Sequence, residues 1–173
     1  REYSDDGQIS SAATTISLVY NFKGDTRRAI EYGEMSVKKS PTPGYEAWAQ
    51  CNLAWAWCRS GETYKGNETL NIFITIFRPG RLAGFEFLFC SCFAEGYLLA
   101  EDYDKAEQTA KEALEVAERC GTKFYIGWAH RLLGEVALET DYSKALPHFE
   151  KCIAIFKGIK PENELAMTYA DLG

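Results

Sequence analysis

Six cysteines, two histidines and four tryptophans are the residues of this 173-residue chain with the most scope for chemistry. Cys51 and Cys58 stand seven apart, which on one helix separates their Cα atoms by about 10 Å along the axis, beyond disulfide reach. Cys90 and Cys92 are two apart and project to roughly opposite sides of a helix. Cys120 and Cys152 fall where small apolar side chains are favoured. No CxxC occurs, and His130 and His148 are the only imidazoles. The thiols therefore read as small hydrophobes in a reducing compartment, with an inter-helix zinc site and redox-sensitive thiols as lesser alternatives. The sequence holds no GxxxxGK[ST] phosphate loop, no GxSxG and no HExxH. His130 has no nucleophile paired with it in the sequence, and the acidic residues lie along helix faces. The expectation is a non-enzyme with no catalytic residue, no cofactor and no metal. Trp48 and Trp55, seven apart, share a helix face, which suits either an apolar anchor for a ligand or burial in the core.

The elements that must position these residues are helices. Residues 93–120, FAEGYLLAEDYDKAEQTAKEALEVAERC, hold two helical patterns around the turn Glu101-Asp102-Tyr103. In the second pattern Ala106, Ala110, Ala113, Leu114 and Ala117 share one face, a stripe of small residues that lets two helix backbones approach closely. The arrangement recurs. Asp-x-x-x-Ala appears at Asp25/Ala29, Asp102/Ala106 and Asp141/Ala145. Upstream stand Ile16-Ser17-x-x-Tyr20, Phe93-Ala94-x-x-Tyr97 and Leu133-Gly134-x-x-Ala137. A degenerate copy has Leu53-Ala54-x-x-Trp57 and Gly66 in place of the alanine, giving spacings of 37, 40 and 39 residues.

The breaks fall at Gly24-Asp25, at Ser40 to Gly44, at Ser60-Gly61, at Arg78-Pro79-Gly80, at Gly121 and at Gly158 to Pro161. They predict helices over about 9–22, 25–39, 45–59, 63–77, 82–99, 103–119, 123–139 and 141–158, with another starting near Glu162. Residues 1–8 read as a frayed lead-in or the tail of a preceding helix. Leu70 to Phe77 has the β-branched and aromatic content of a strand, but the repeat register makes it a second helix. Asp25 and Asp141 are expected to cap the helices that follow them.

This pattern resembles the tetratricopeptide (TPR) repeat, whose period is about 34 residues. The longer period here is similar to that of repeat arrays in large bacterial multidomain signalling proteins. The resemblance implies an all-α, right-handed α-solenoid of antiparallel hairpins with repeats at about 9–43, 44–80, 81–121 and 122–160. A partial fifth repeat at 161–173 makes the whole one domain, expected to be a piece of a longer chain. It also implies a concave wall of first helices. In that register the wall carries Ser11, Thr14, Leu18 and Asn21, then Trp48, Cys51, Trp55 and Cys58. Next come Leu88, Ser91, Glu95 and Leu98, then Trp128, Arg131, Glu135 and Leu138. With Arg59 at the edge, Trp48, Cys51, Trp55, Cys58, Ser91, Glu95, Leu98, Arg131 and Glu135 are the candidate groove residues. The Lys/Asn/Arg clamp of chaperone-binding members is missing.

Composition narrows the partners. The net charge of −6, with no basic cluster, argues against nucleic acid and anionic membranes. No apolar run reaches the length of a membrane span, and a cytoplasmic location is expected. The functional expectation is a protein-interaction scaffold binding a peptide, a partner domain or another domain of its parent chain. The alternative is a sensor array that binds a small effector and controls an attached ATPase or nucleotide cyclase. Exposed repeat ends add a homodimer to the expected partners.

Overall fold

The structure, a computed structural model, describes residues 2–77 and 86–172. The described residues form helices and turns with no strand. Contacts divide the chain into two compact units, Arg1–Gly80 and Arg81–Gly173. The predicted break at residues 78–80, and the start predicted at residue 82 for the helix after it, lie outside the described residues.

The first unit holds α1 (Glu2–Phe22), α2 (Thr26–Lys39), α3 (Pro43–Arg59) and α4 (Thr63–Phe77). α1 pairs with α2 and α3 with α4, while α3 also packs on both α1 and α2. α1 begins seven residues before the predicted start. Its residues 2–8 have no helix breaker except Gly7, and glycine inside a helix costs only about 1 kcal/mol. Gly24 ends α1 in the left-handed region, φ 74°, and the Asp25 carboxylate caps α2 by accepting the Arg28 N–H at 3.1 Å. Pro43 does not end a break but opens α3, with Thr42 extended before it. Proline at this first position gives up an N–H that has no helical partner anyway. The strand-like stretch at 70–77 lies within helix α4, with Leu70 fully buried, because packing on α3 outweighs local propensity.

The second unit holds α5 (Glu86–Leu99), α6 (Tyr103–Cys120), α7 (Lys123–Thr140), α8 (Ala145–Ile159) and α9 (Glu162–Leu172). α5 pairs with α6 and α7 with α8, while α7 also packs on α5, α6 and α9. Asp102 caps α6, accepting from the Lys105 N–H. Asp141 departs from expectation. A 3₁₀ turn, Tyr142–Lys144, intervenes before α8, and the Asp141 carboxylate accepts from the Ser143 hydroxyl at 2.6 Å. Lys160, not Gly158, takes the left-handed conformation that ends α8.

The small residues sit in the seams between helices. Ala29, Ala106, Ala110, Ala113, Ala117 and Ala145 are buried. Gly66 stands at the alanine position of the degenerate repeat for a steric reason. A Cβ there would fall 2.6 Å from the Ala54 carbonyl oxygen and inside the Cys58 sulfur. Gly134 likewise leaves room for the Phe149 ring, which a Cβ would meet at 2.9 Å. The α1–α2 seam is built of hydroxyls instead. Ser10, Thr14 and Ser36 are buried and bonded to one another, and the Ser17 hydroxyl donates to the Ala29 carbonyl at 2.7 Å.

Candidate functional site

The first helices of the pairs are where the candidate residues lie, and these helices are deeply packed. In α3 the run Cys51–Ala56 is buried, in α5 Ser91–Tyr97, and in α7 Gly127–Gly134. A helix apolar or small on every side belongs in an interior, so most predicted wall positions end up inside. Trp55 is fully enclosed, edge-on to Phe22 at 5.2 Å between ring centroids. Cys51, Cys58 and Ser91 are buried too. Their side chains present no surface to a ligand. Trp48 is half-buried, as are Arg59, Leu98 and Glu135.

Of the remaining register positions, Thr14, Asn21, Leu88 and Trp128 are buried. Ser11, Leu18 and Leu138 are partly exposed. The buried Asn21 amide donates to the Asn52 carbonyl at 3.1 Å, joining α1 to α3. Arg59 donates to the Asn21 carbonyl near the end of α1 and lies over the Trp55 ring at 5.2 Å. It thereby satisfies a terminal carbonyl of the helix.

In the second unit three predicted residues come together. Arg131 of α7 is 3% exposed and extends its guanidinium between three first helices. Its Nε lies 3.2 Å from Glu135, Nη1 is 3.3 Å from Glu164 of α9, and Nη2 is 3.9 Å from Glu95 of α5. Nη1 also reaches the Met167 sulfur at 3.4 Å. Burial works against the cation, but Glu135, Glu95 and Glu164 outweigh it and hold the guanidinium charged. Burial raises the Glu135 carboxyl well above the usual range. Arg131 pulls it the other way, while Asp171, which shares a hydrogen bond with it, pushes it up further. Four carboxylates around one cation cannot all ionise cheaply in a low dielectric, so one proton stays in the cluster. Sequence reasoning missed Glu164 and Asp171. Their seven-residue spacing on α9 was visible, but it reads equally as a solvated acidic face.

His130 and His148 also meet, Nδ1 to Nδ1 at 3.1 Å, joining α7 to α8. One ring's N–H donates to the other's bare nitrogen. Burial, then His148 and Lys151, pushes His130 down to about 4, and burial and Lys151 lower His148 as well. Among the described residues no group of three or more His, Cys, Asp or Glu is placed to hold a metal. All six cysteines are free thiols, Cys120 being exposed where a small buried residue was expected.

The helix pairs, their small-residue seams and the packed first helices define an α-solenoid of TPR-like hairpins. Residues 91–158 match the family model described as tetratricopeptide repeat. None of the curated proteins matches the chain. Among solved structures the chain is similar to BtubC (BKLC) from P. vanneervenii, with 18% identity and a TM-score of 0.72 over 98% of this chain and 74% of that one. It is similar also to the apo form of RapI, with 19% identity and a TM-score of 0.72 over 93% of this chain and 60% of that one. The chain as a whole has a TPR-like fold, and its residues 91–158 match the repeat itself. No helix among the described residues is long and apolar enough to cross a membrane.

Proposed function

We propose that the chain is a non-catalytic protein-interaction scaffold that takes a peptide or a partner domain along its first helices. What supports this most is the way Arg131 pins α5, α7 and α9 to one another, since a wall fixed before binding loses little entropy on binding. Leu98 and Glu135 are accessible apolar and polar contacts on that wall, and within the first unit Trp48 and Arg59 are the accessible candidates of α3. The buried tryptophans and thiols act as the wall's filling, not as its contacts. Panning a random peptide library on the whole chain, with calorimetry of the enriched peptides, tests the reading. Leu98→Asp is expected to weaken binding at least about tenfold, while Lys157→Glu, on exposed α8 surface, leaves it unchanged. An equal loss in both variants, or no enriched peptide, contradicts the proposal.

A further inference from the structure

The His130–His148 pair joins α7 to the start of α8, and that start is weakly built. Lys144 stands at the N-cap of α8 with no side chain capping the helix, and the first turn holds no acidic residue. Asp141 does not serve, because its carboxylate takes the Ser143 hydroxyl and the Lys144 ammonium. The chain enters α8 through the 3₁₀ turn Tyr142–Lys144, whose hydrogen-bond geometry is poorer than that of an α-helix. Leu146 precedes Pro147, and a residue before proline resists the helical region. From Phe149 onward the helix is held differently. Phe149, Cys152 and Phe156 are fully buried, and the Phe149 ring packs against Gly134 of α7. Packing therefore secures residues 149–159, while residues 142–148 have the small buried side chain of Ala145 and the imidazole bond to hold them.

The pair accommodates one added proton and not two. Nδ1 meets Nδ1 at 3.1 Å with ring centroids 5.3 Å apart, so the rings stand nearly head-on with a single hydrogen between them. An imidazolium can donate to a neutral ring, but two imidazoliums have only donors to offer each other. The charges facing the pair make the second proton costlier. Lys151 of α8 acts on both rings, and from α6 come Lys111 and Glu107, whose carboxylate is taken up by Lys111 at 2.8 Å. Arg131, next in the chain, turns to α5 and α9 instead. His148 also stands near the N-terminus of α8, where the helix dipole disfavours a cation. We propose that residues 142–148 form an acid-released catch, held on α7 by the His130–His148 bond at neutral pH and freed when both rings are cationic, while residues 149–159 stay docked. Burial first, and Lys151 among the charges, lower both imidazoles, His130 down to about 4, so the catch is shut at pH 7 and opens as pH falls towards 4. This is independent of the peptide-binding reading, which concerns other surfaces.

Nuclear magnetic resonance of the whole chain tests it, since His130 and His148 are its only histidines and each gives its own titration. Between pH 7 and pH 4 the Cα shifts of residues 145–148 are expected to lose about half or more of their helical displacement, those of residues 150–156 and of α6 keeping theirs. With His130→Gln and His148→Gln together, the shifts of residues 145–148 should not follow pH. Lys151→Glu, at an exposed position, sets an anion before the pair and should move the opening about half a pH unit or more downward. Unchanged shifts at residues 145–148 down to pH 4 overturn the proposal. So does loss of helix throughout the second unit at the same pH, opening that persists in the double glutamine variant, or a midpoint that Lys151→Glu leaves in place.

Discussion

Arg131 is the residue on which most of the second unit's polar packing converges. Removing its side chain would leave Glu95 and Glu164 buried without their countercharge, so Arg131→Ala should destabilise the chain by about 3–5 kcal/mol in urea denaturation. Arg131→Met with Glu95→Gln and Glu164→Gln removes the charges together and should recover most of that loss. Glu135 gives a pH signature. Its folded-state carboxyl is raised to about 8, so the stability it contributes is full below the unfolded value near 4.3 and is lost as pH rises towards 8. Glu135→Gln should therefore be close to wild type at pH 5 and more stable at pH 9, read from the urea midpoint. His130 has the opposite sign. The unfolded imidazole accepts its proton near 6.5 and the folded one only near about 4, so stability falls as pH drops between those values. The bond to His148 survives one added proton, the imidazolium donating to the neutral ring, and is lost when both rings are cationic and both Nδ1 atoms carry hydrogen. Wild type should lose about 2 kcal/mol more than His130→Gln between pH 7 and pH 4.

Helix against helix, the seams set how much change each pair tolerates. Ala106→Leu should force α6 away from its neighbours at a cost of roughly 1–3 kcal/mol, and Gly66→Ala should cost about as much against the Ala54 carbonyl. Thermal melting of both variants checks this, with exposed Lys111→Ala as the unaffected comparison. These seams were legible in the sequence, because Asp-x-x-x-Ala couples an N-cap to the residue where two helices touch. The α4 helix was legible only through the repeat period, its own residues favouring a strand. The 3₁₀ turn before α8 was not legible. Nothing in Asp-Tyr-Ser-Lys separates a carboxylate that caps a helix from one that takes the Ser143 hydroxyl and the Lys144 ammonium at 2.9 Å.

Over the molecule as a whole, the sequence revealed which residues lie on the first helices but not which of their faces stay open. The tetratricopeptide register placed Trp55, Cys51, Cys58 and Ser91 on a groove wall. Long helices packed on several neighbours bury those positions, and only Trp48, Arg59, Leu98 and Glu135 among the candidates keep part of their surface. Glu95, Arg131 and Glu135 were singled out as groove charges, whereas their association into one buried cluster depends on α9, whose acidic residues looked like a solvated face. The central claim is that first helices form the interior and second helices seal it through small-residue seams. Native-state hydrogen exchange of the whole chain tests this most directly. The slowest amides should lie at residues 51–56, 91–97 and 127–134. Slowest exchange in α2, α6 or α8, with the first helices opening early, would contradict it.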